Sequence, residues 1–215
     1  MAGQVIDFWF TMGSAYTYFT VMRIERAVEE AGISLQWRPF RNLGALTGAT
    51  QGIFLEGTAK TRYMLRDLER RAGKYCLPIR LPVPYPVPNA QRANRVALIG
   101  MREGWGPAYV REAYRQWFEH GVPNGGDENL RASLAAAGQS QDVDRILTLA
   151  DSEAVDRDLQ TVTDEARQLG IFGSPTFAIG AELFWGDDHL EDALQWARQG
   201  RLTTENSVDL HPPPD

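Results

Sequence analysis

Few residues of this chain are placed for chemistry. Ser14 follows an apolar run, Val5-Ile6-Asp7-Phe8-Trp9-Phe10, and a helical pattern begins just after it. A serine there sits where a buried strand ends and a helix begins. Free backbone N–H groups and the positive end of the helix dipole make that a place for an anion. The plainer reading is that Ser14 caps the helix. A second group is Phe172-Gly173-Ser174-Pro175-Thr176-Phe177, a Gly-Ser-Pro turn leading into a strand. A cis Ser174–Pro175 bond would expose the backbone N–H and C=O of Ser174; otherwise the tripeptide is an ordinary turn. A third is Asp187-Asp188, which opens the last helical pattern and whose spacing alone reads as capping. Lys60 is a lone cation, and Trp9, Tyr85 and Trp185 are aromatics that either line an apolar pocket or belong to the core.

Other chemistries find no support. Cys76, the single cysteine, continues the apolar stripe of Leu65, Leu68 and Ala72, and so reads as a buried thiol with no nucleophilic role. His120, His189 and His211 lack metal-ligand spacing, and no metal site is expected. Ser14 has no evident His/Asp partners and there is no Gly-x-Ser-x-Gly, which argues against a hydrolase triad. There is no Gly-rich phosphate loop.

The whole chain has 215 residues, of which 43% are hydrophobic and 23% charged, enough for a core that needs no disulfide or metal. A net charge of −6 gives no basic footprint for nucleic acid. No apolar run approaches the roughly 18 residues of a membrane span, and the start has neither a basic nor an apolar leader segment. A soluble cytoplasmic protein without membrane or nucleic-acid partners is expected.

The elements that would position these groups come in a telling order. Val5–Phe10 does not alternate cleanly, as suits a strand buried on both faces. Tyr18, Val21, Ile24, Val28 and Ala31 share one helix side, with Gly32 as its stop. Ile33–Arg38 alternates as a strand, closed by Pro39, which completes a βαβ unit. A Gly- and Thr-rich loop covers residues 42–57, and beyond it the chain reads almost wholly helical to Gly170. Stripes run through Ala93, Val96, Ala97 and Met101; through Val110, Ala113, Tyr114, Trp117 and Phe118; through Val143, Ile146 and Leu147; and through Val155, Leu159, Val162, Ala166 and Leu169. Pro82-Val83-Pro84-Tyr85-Pro86-Val87-Pro88 cannot be helix and makes a stiff extended segment that displays Tyr85. Strands return at Pro175–Ile179 and Leu183–Trp185 as a hairpin, followed by a helix carrying Leu190, Ala193, Leu194 and Ala197. Neither terminal piece completes a sheet alone, so the two must join across the helical block. The fold expected is α/β, an α/β domain with a large all-helical insertion. It would use residues 1–41 and 165–202 for the α/β part, 42–164 for the insertion and 203–215 as a disordered tail.

Ser14-Ala15-Tyr16-Thr17-Tyr18 after an apolar strand resembles the start of the DsbA-like thioredoxin branch that holds 2-hydroxychromene-2-carboxylate isomerases and kappa-class glutathione transferases. The resemblance names the α/β part a thioredoxin-like domain of DsbA/kappa type. Its pattern is Ser-Pro-aromatic-Ser-Tyr; in this chain Ala15 replaces the proline and Thr17 the second serine. Ser14 takes the place of the superfamily's reactive cysteine, and the chain has no Cys-x-x-Cys. Phe172–Phe177 looks like the cis-proline loop, in which the residue before proline, Ser174 in this chain, pairs with the cysteinyl backbone of glutathione. Phe184-Trp185-Gly186-Asp187-Asp188-His189-Leu190 resembles the closing motif, whose acidic and polar positions hold the γ-glutamyl end. In that reading Asp187 or Asp188 takes the α-ammonium and helix N–H groups take the carboxylate. His189 stands where the family often has arginine. Lys60 and Tyr63 keep the family's spacing for a lysine that reaches a carboxylate of glutathione. The usual Gly-Asn is absent, since Ala49 and Thr50 follow Gly48.

What the resemblance implies is an enzyme using glutathione with a small aromatic substrate, commonly as a homodimer. Ser14 would be the catalytic donor to the glutathione sulfur, and Tyr85 and Trp9 would contact substrate. A glutathione-dependent isomerase is the leading expectation. A kappa-like transferase, or a thioredoxin-fold protein that binds glutathione or a peptide without chemistry, stands beside it. Disulfide exchange is disfavoured because neither Ser14 nor Thr17 is a thiol.

Overall fold

The computed structural model describes residues 5–41, 57–85, 87 and 89–203. Strand β1 (Val5–Phe10) pairs in parallel with β2 (Ser34–Pro39) through helices α1 (Thr17–Val21) and α2 (Ile24–Ala31). On its other side β1 pairs antiparallel with β3 (Thr176–Ile179), which pairs antiparallel with β4 (Glu182–Trp185). The sheet order is β2-β1-β3-β4, so the two ends of the chain close one mixed sheet across the helices between them. Those helices are α3 (Ala59–Tyr75), α4 (Ala90–Glu103), α5 (Gly106–Phe118), α6 (Asp127–Leu134), α7 (Val143–Ala150) and α8 (Glu153–Gln168). A π turn over Ala135–Gln139 follows α6, and α9 (Leu190–Gln199) follows β4. Helix α8 runs across the expected boundary at residue 165 without a break. Residues 204–215 of the expected tail and most of the Gly/Thr-rich loop, with Ala49, Thr50 and Gln51, lie outside the described residues, while Thr203 is described and hydrogen-bonds Gln195. Among the described residues no helix is long and apolar enough to cross a membrane.

Strand β1 buries one face fully, through Ile6, Phe8 and Phe10, and the other only at Trp9, with Val5 exposed and Asp7 half-buried, so the expected burial on both faces holds for its C-terminal half. Ile6, Phe8 and Phe10 enter the main core, where Phe8 meets Phe177 and Trp37 at ring-centroid distances of 5.7 and 5.0 Å. Full burial of each such ring is worth about 1.5–3 kcal/mol. That core continues without interruption into Val96, Tyr114, Trp117 and Phe118 of the helical block.

Trp9 points to the opposite face of the sheet and forms a small second core with Phe40, Ala166, Ile171 and Ala178. At 2% exposure it lines neither of the cavities beside Ser14 among the described residues, so its expected contact with substrate is withdrawn. The period of β1 sends Trp9 away from the face that carries Phe8 and Phe10.

Three other local expectations change. The first helix is interrupted at Met22-Arg23, giving α1 and α2 in place of one helix. Cys76 is exposed: α3 ends at Tyr75, and a left-handed turn at Cys76 (φ 53°) carries its thiol off the buried stripe of Met64, Leu68 and Ala72. Leu169 lies just beyond the end of α8 and is exposed too.

Candidate functional site

The turn between β1 and α1 carries Ser14. Its N–H donates to Thr11 O at 3.1 Å, closing a tight turn. The cap position of α1 is Tyr16 and has no side-chain cap, so Ser14 does not serve as an N-cap. Its Oγ–H instead donates to the carbonyl oxygen of Ser174 at 2.9 Å. The Ser174–Pro175 bond is cis, as the sequence suggested. Thr11 N–H donates to Ser174 Oγ at 3.0 Å, and Thr17 Oγ1 lies 2.8 Å from the same oxygen. The two loops, 160 residues apart in sequence, are thereby held face to face.

The helical block holds this turn from behind. Asn94 of α4 accepts from Met12 N–H at 2.8 Å and donates to Thr11 Oγ1 at 3.0 Å. Asn124 donates to Met12 O at 2.9 Å. Tyr114 of α5 shares its hydroxyl proton between Thr11 O and Ser14 O, at 3.0 and 3.1 Å. Burial pushes the Tyr114 pKa well above that of a free phenol, which keeps it a donor. All three side chains are fully buried. Truncating Asn94 to alanine strands the buried Met12 N–H and is expected to cost about 1–3 kcal/mol in denaturant titrations. Spacing could not have flagged these residues, because Asn94 and Tyr114 read simply as members of amphipathic helices.

A cleft opens in front of Ser14. Its first cavity, about 430 Å³, has Ser14, Tyr16, Tyr63, Tyr85, Phe172 and Trp185 among its walls, and Lys60 is its one ionised lining group among the described residues. Tyr85 is half-buried and lies over Trp117 with ring centroids 6.5 Å apart. Phe172 and Trp185 meet at 5.0 Å across the rim. Tyr16, Tyr63, Ser174 and Trp185 also wall a second cavity of about 280 Å³, which is charged. Its further lining includes Asp67, Arg71, Asp187 and Asp188.

The two neighbouring aspartates part company at this cavity. The Asp187 side chain is fully buried: its Oδ1 accepts from Thr20 at 3.0 Å and from Arg23 at 2.9 Å. The Asp188 side chain is 59% exposed and faces the cavity. Neither makes a side-chain cap hydrogen bond. His189 bonds Asp192 on its own helix at 3.0 Å. Behind the cavity Tyr16 donates to Asp67 at 3.0 Å, and Arg71 Nε donates to the same oxygen at 3.0 Å. Burial and then the Asp67 bond raise the Tyr16 pKa, so Tyr16 stays a neutral phenol. Burial alone would raise the Asp67 pKa, but hydrogen bonds from Arg71, Arg70 and Tyr16 outweigh it and hold the carboxyl below its usual range. Asp67 and Arg71 were not singled out in the sequence; their i,i+4 spacing on α3 is the one signal they gave.

The sheet, the cis-proline loop and the hydroxyl at the strand end define a thioredoxin-like domain with a helical insertion. More particularly, the chain belongs to the DSBA-like thioredoxin domain family, whose model matches residues 5–195. It is 26% identical over 192 residues to a 2-hydroxychromene-2-carboxylate isomerase of Sphingobium xenophagum, across 87% of this chain and 95% of that one. It is 26% identical over 187 residues to glutathione S-transferase kappa 2 of Caenorhabditis elegans, across 80% and 79%. A solved structure of a 2-hydroxychromene-2-carboxylate isomerase superposes with a TM-score of 0.77 at 22% identity, covering 91% of this chain and 97% of that one. The relatives are thus an isomerase and a transferase, and the chain shares their fold along nearly its whole length.

Proposed function

We infer that the protein is a glutathione-dependent isomerase of the 2-hydroxychromene-2-carboxylate isomerase type, acting on an unsaturated aromatic catabolite; the isomerase named among its relatives supports this reading. The observation that carries this reading is Ser14 in the reactive position, bonded to a cis-proline loop beside two cavities that share aromatic walls, one also lined by Lys60 and the other by Asp67, Arg71, Asp187 and Asp188. The residues present fit glutathione. Lys60 offers a cation for one carboxylate, and the Ser174 backbone offers a strand edge for the central peptide. Asp188 offers an anion for the ammonium. When bound, glutathione supplies a nucleophilic thiolate that adds reversibly to the substrate's double bond, allowing its rotation, and is recovered.

The chain's own residues prepare that chemistry. The Ser14 hydroxyl has a single proton, given to Ser174 O in this structure; rotated from that carbonyl toward the cleft, it would donate to a sulfur anion. The carbonyl of Ser174 has a second lone pair for a peptide N–H. Tyr16 and Tyr85, half-buried, and the exposed rings of Tyr63, Phe172 and Trp185 offer flat surfaces that an aromatic ring would cover. Asp187 is reassigned: with Arg23 and Thr20 already on its Oδ1, it supports the site from beneath and Asp188 meets the ligand.

Calorimetry with reduced glutathione, followed by turnover of a hydroxychromene carboxylate with the thiol concentration monitored, tests the reading. Binding between micromolar and millimolar and turnover without thiol loss are expected. Stoichiometric thiol loss would make the protein a kappa-like transferase, a reading favoured by the kappa relative. No binding at millimolar glutathione would remove the cofactor.

A further inference from the structure

We propose that Arg71, on the first helix of the insertion, is the ligand's α-carboxylate anchor, so that Arg71 and Asp188 together read an α-amino-acid head group. This rests on the glutathione reading above and names the residue that gives its γ-glutamyl end specificity.

The geometry of Arg71 points there. Its Nε is committed to Asp67 at 3.0 Å, which fixes the guanidinium plane at the back of the charged cavity. Its two outer nitrogens are poorly used. Nη1 lies 3.4 Å from Asp187 Oδ2 and Nη2 lies 3.5 Å from Asp188 Oδ2. Charge-assisted N–H···O contacts normally close to about 2.7–2.9 Å. Asp187 is already served by Arg23 at 2.9 Å and Thr20 at 3.0 Å, so its need for Arg71 is slight. A guanidinium with one nitrogen fixed and two loosely held on its outer edge is a fork that fits a carboxylate.

The surroundings suit a zwitterion. Asp188 stands beside Arg71 on the same cavity and is the exposed member of the aspartate pair; its contact with Arg71 is 3.5 Å and leaves its outer face for an ammonium. Its carboxylate lies close against Gly186, which has φ 110°; a Cβ on residue 186 would come within 2.5 Å of Asp188 Oδ1. Glycine at 186 therefore leaves room for that carboxylate. Tyr16, Tyr63 and Trp185 wall the cavity between these charges and the Ser14 cavity. At the helix start the N–H groups of His189 and Leu190 donate to Gly186 O and Asp187 O, which leaves only those of Asp187 and Asp188 to compete for the carboxylate.

Calorimetry with three tripeptides tests the assignment: glutathione; γ-aminobutyryl-cysteinyl-glycine, which lacks the α-carboxylate; and glutaryl-cysteinyl-glycine, which lacks the α-amine. The native protein should bind glutathione about ten-fold or more tighter than either analogue. Arg71→Met should weaken glutathione about ten- to hundred-fold and leave the decarboxylated analogue within about two-fold. Asp188→Asn should show the mirror pattern, leaving the des-amino analogue unchanged. Arg71→Lys keeps the charge without the fork and should fall between Arg71→Met and the native protein. If Arg71→Met weakens glutathione and the decarboxylated analogue equally, Arg71 only supports the fold and the proposal fails while the glutathione reading stands. Unaltered glutathione binding by Arg71→Met overturns it as well. If the native protein binds none of the three peptides, both readings fall.

Discussion

Replacing Ser14 with alanine is expected to lower glutathione-dependent turnover at neutral pH about ten- to hundred-fold, and to restore most of it at high pH. A free thiol has a pKa of about 8.5, so only a few per cent is thiolate at pH 7. A hydrogen bond to a charged acceptor is worth about 1.5–3 kcal/mol, or roughly one to two pKa units of thiol stabilisation. Removing the donor raises the thiol pKa. Below both pKa values the thiolate fraction then falls by about ten-fold per unit, and above both the two enzymes converge. Ultraviolet titration of the bound thiolate, run beside the pH–rate profile, reads this directly. The variant should stay folded, because Ser14 is only half-buried and the Ser174 carbonyl it releases lies on the cleft. Identical pH profiles for the two proteins would refute the donor role, and an equal loss at every pH would assign Ser14 to positioning.

The parts of the site that could be read from the sequence share a property: each is a local signal. The strand–turn–helix around Ser14 was written in an apolar run followed at once by a 3.6-residue period, and the structure keeps it, with one break at Met22-Arg23. The hairpin was written in two short apolar runs around Gly180-Ala181, and Ile179 pairs with Glu182 across that turn. The need for the two ends to share a sheet followed from strand counting. The failures came where a backbone detail or a long-range contact decides. Trp9 and Phe8 are neighbours in sequence, and only the pleat sends them to different cores. Cys76 kept its stripe on paper, yet a single left-handed residue took it out of the core. Helix α6 showed no apolar stripe because buried Asn129 occupies part of its inner face, donating to Ala113 O and Val122 O. Asn94, Asn124 and Tyr114, which fix the Ser14 turn, reach it from 80 or more positions away. No spacing rule links such residues.

Asp187 and Asp188 are adjacent and of one type, yet their alanine variants should fail in opposite ways. Asp187→Ala removes a carboxylate whose side chain has no exposed surface and takes from Arg23 the buried one of its two ion-pair partners. Breaking a buried ion pair from one side costs about 3–5 kcal/mol. The expected loss is near the lower end, about 3 kcal/mol, since Arg23 is 18% exposed, keeps Glu191 and rests on the Tyr75 ring at 3.7 Å. The loss spreads because Asp187 ties the end of the sheet to α1 through Thr20 and to the α1–α2 junction through Arg23. Asp188→Ala touches an exposed carboxylate and should stay within about 0.5 kcal/mol of the native protein in urea titrations. Glutathione affinity should invert that order of sensitivity, with Asp188→Ala weakened although fully folded. If Asp187→Ala were as stable as the native protein, the buried network would not be what holds the cis-proline side of the cleft against the Ser14 side. The alignment of Ser14 with Ser174 would then rest on Thr11, Thr17 and the buried side chains of Asn94, Asn124 and Tyr114.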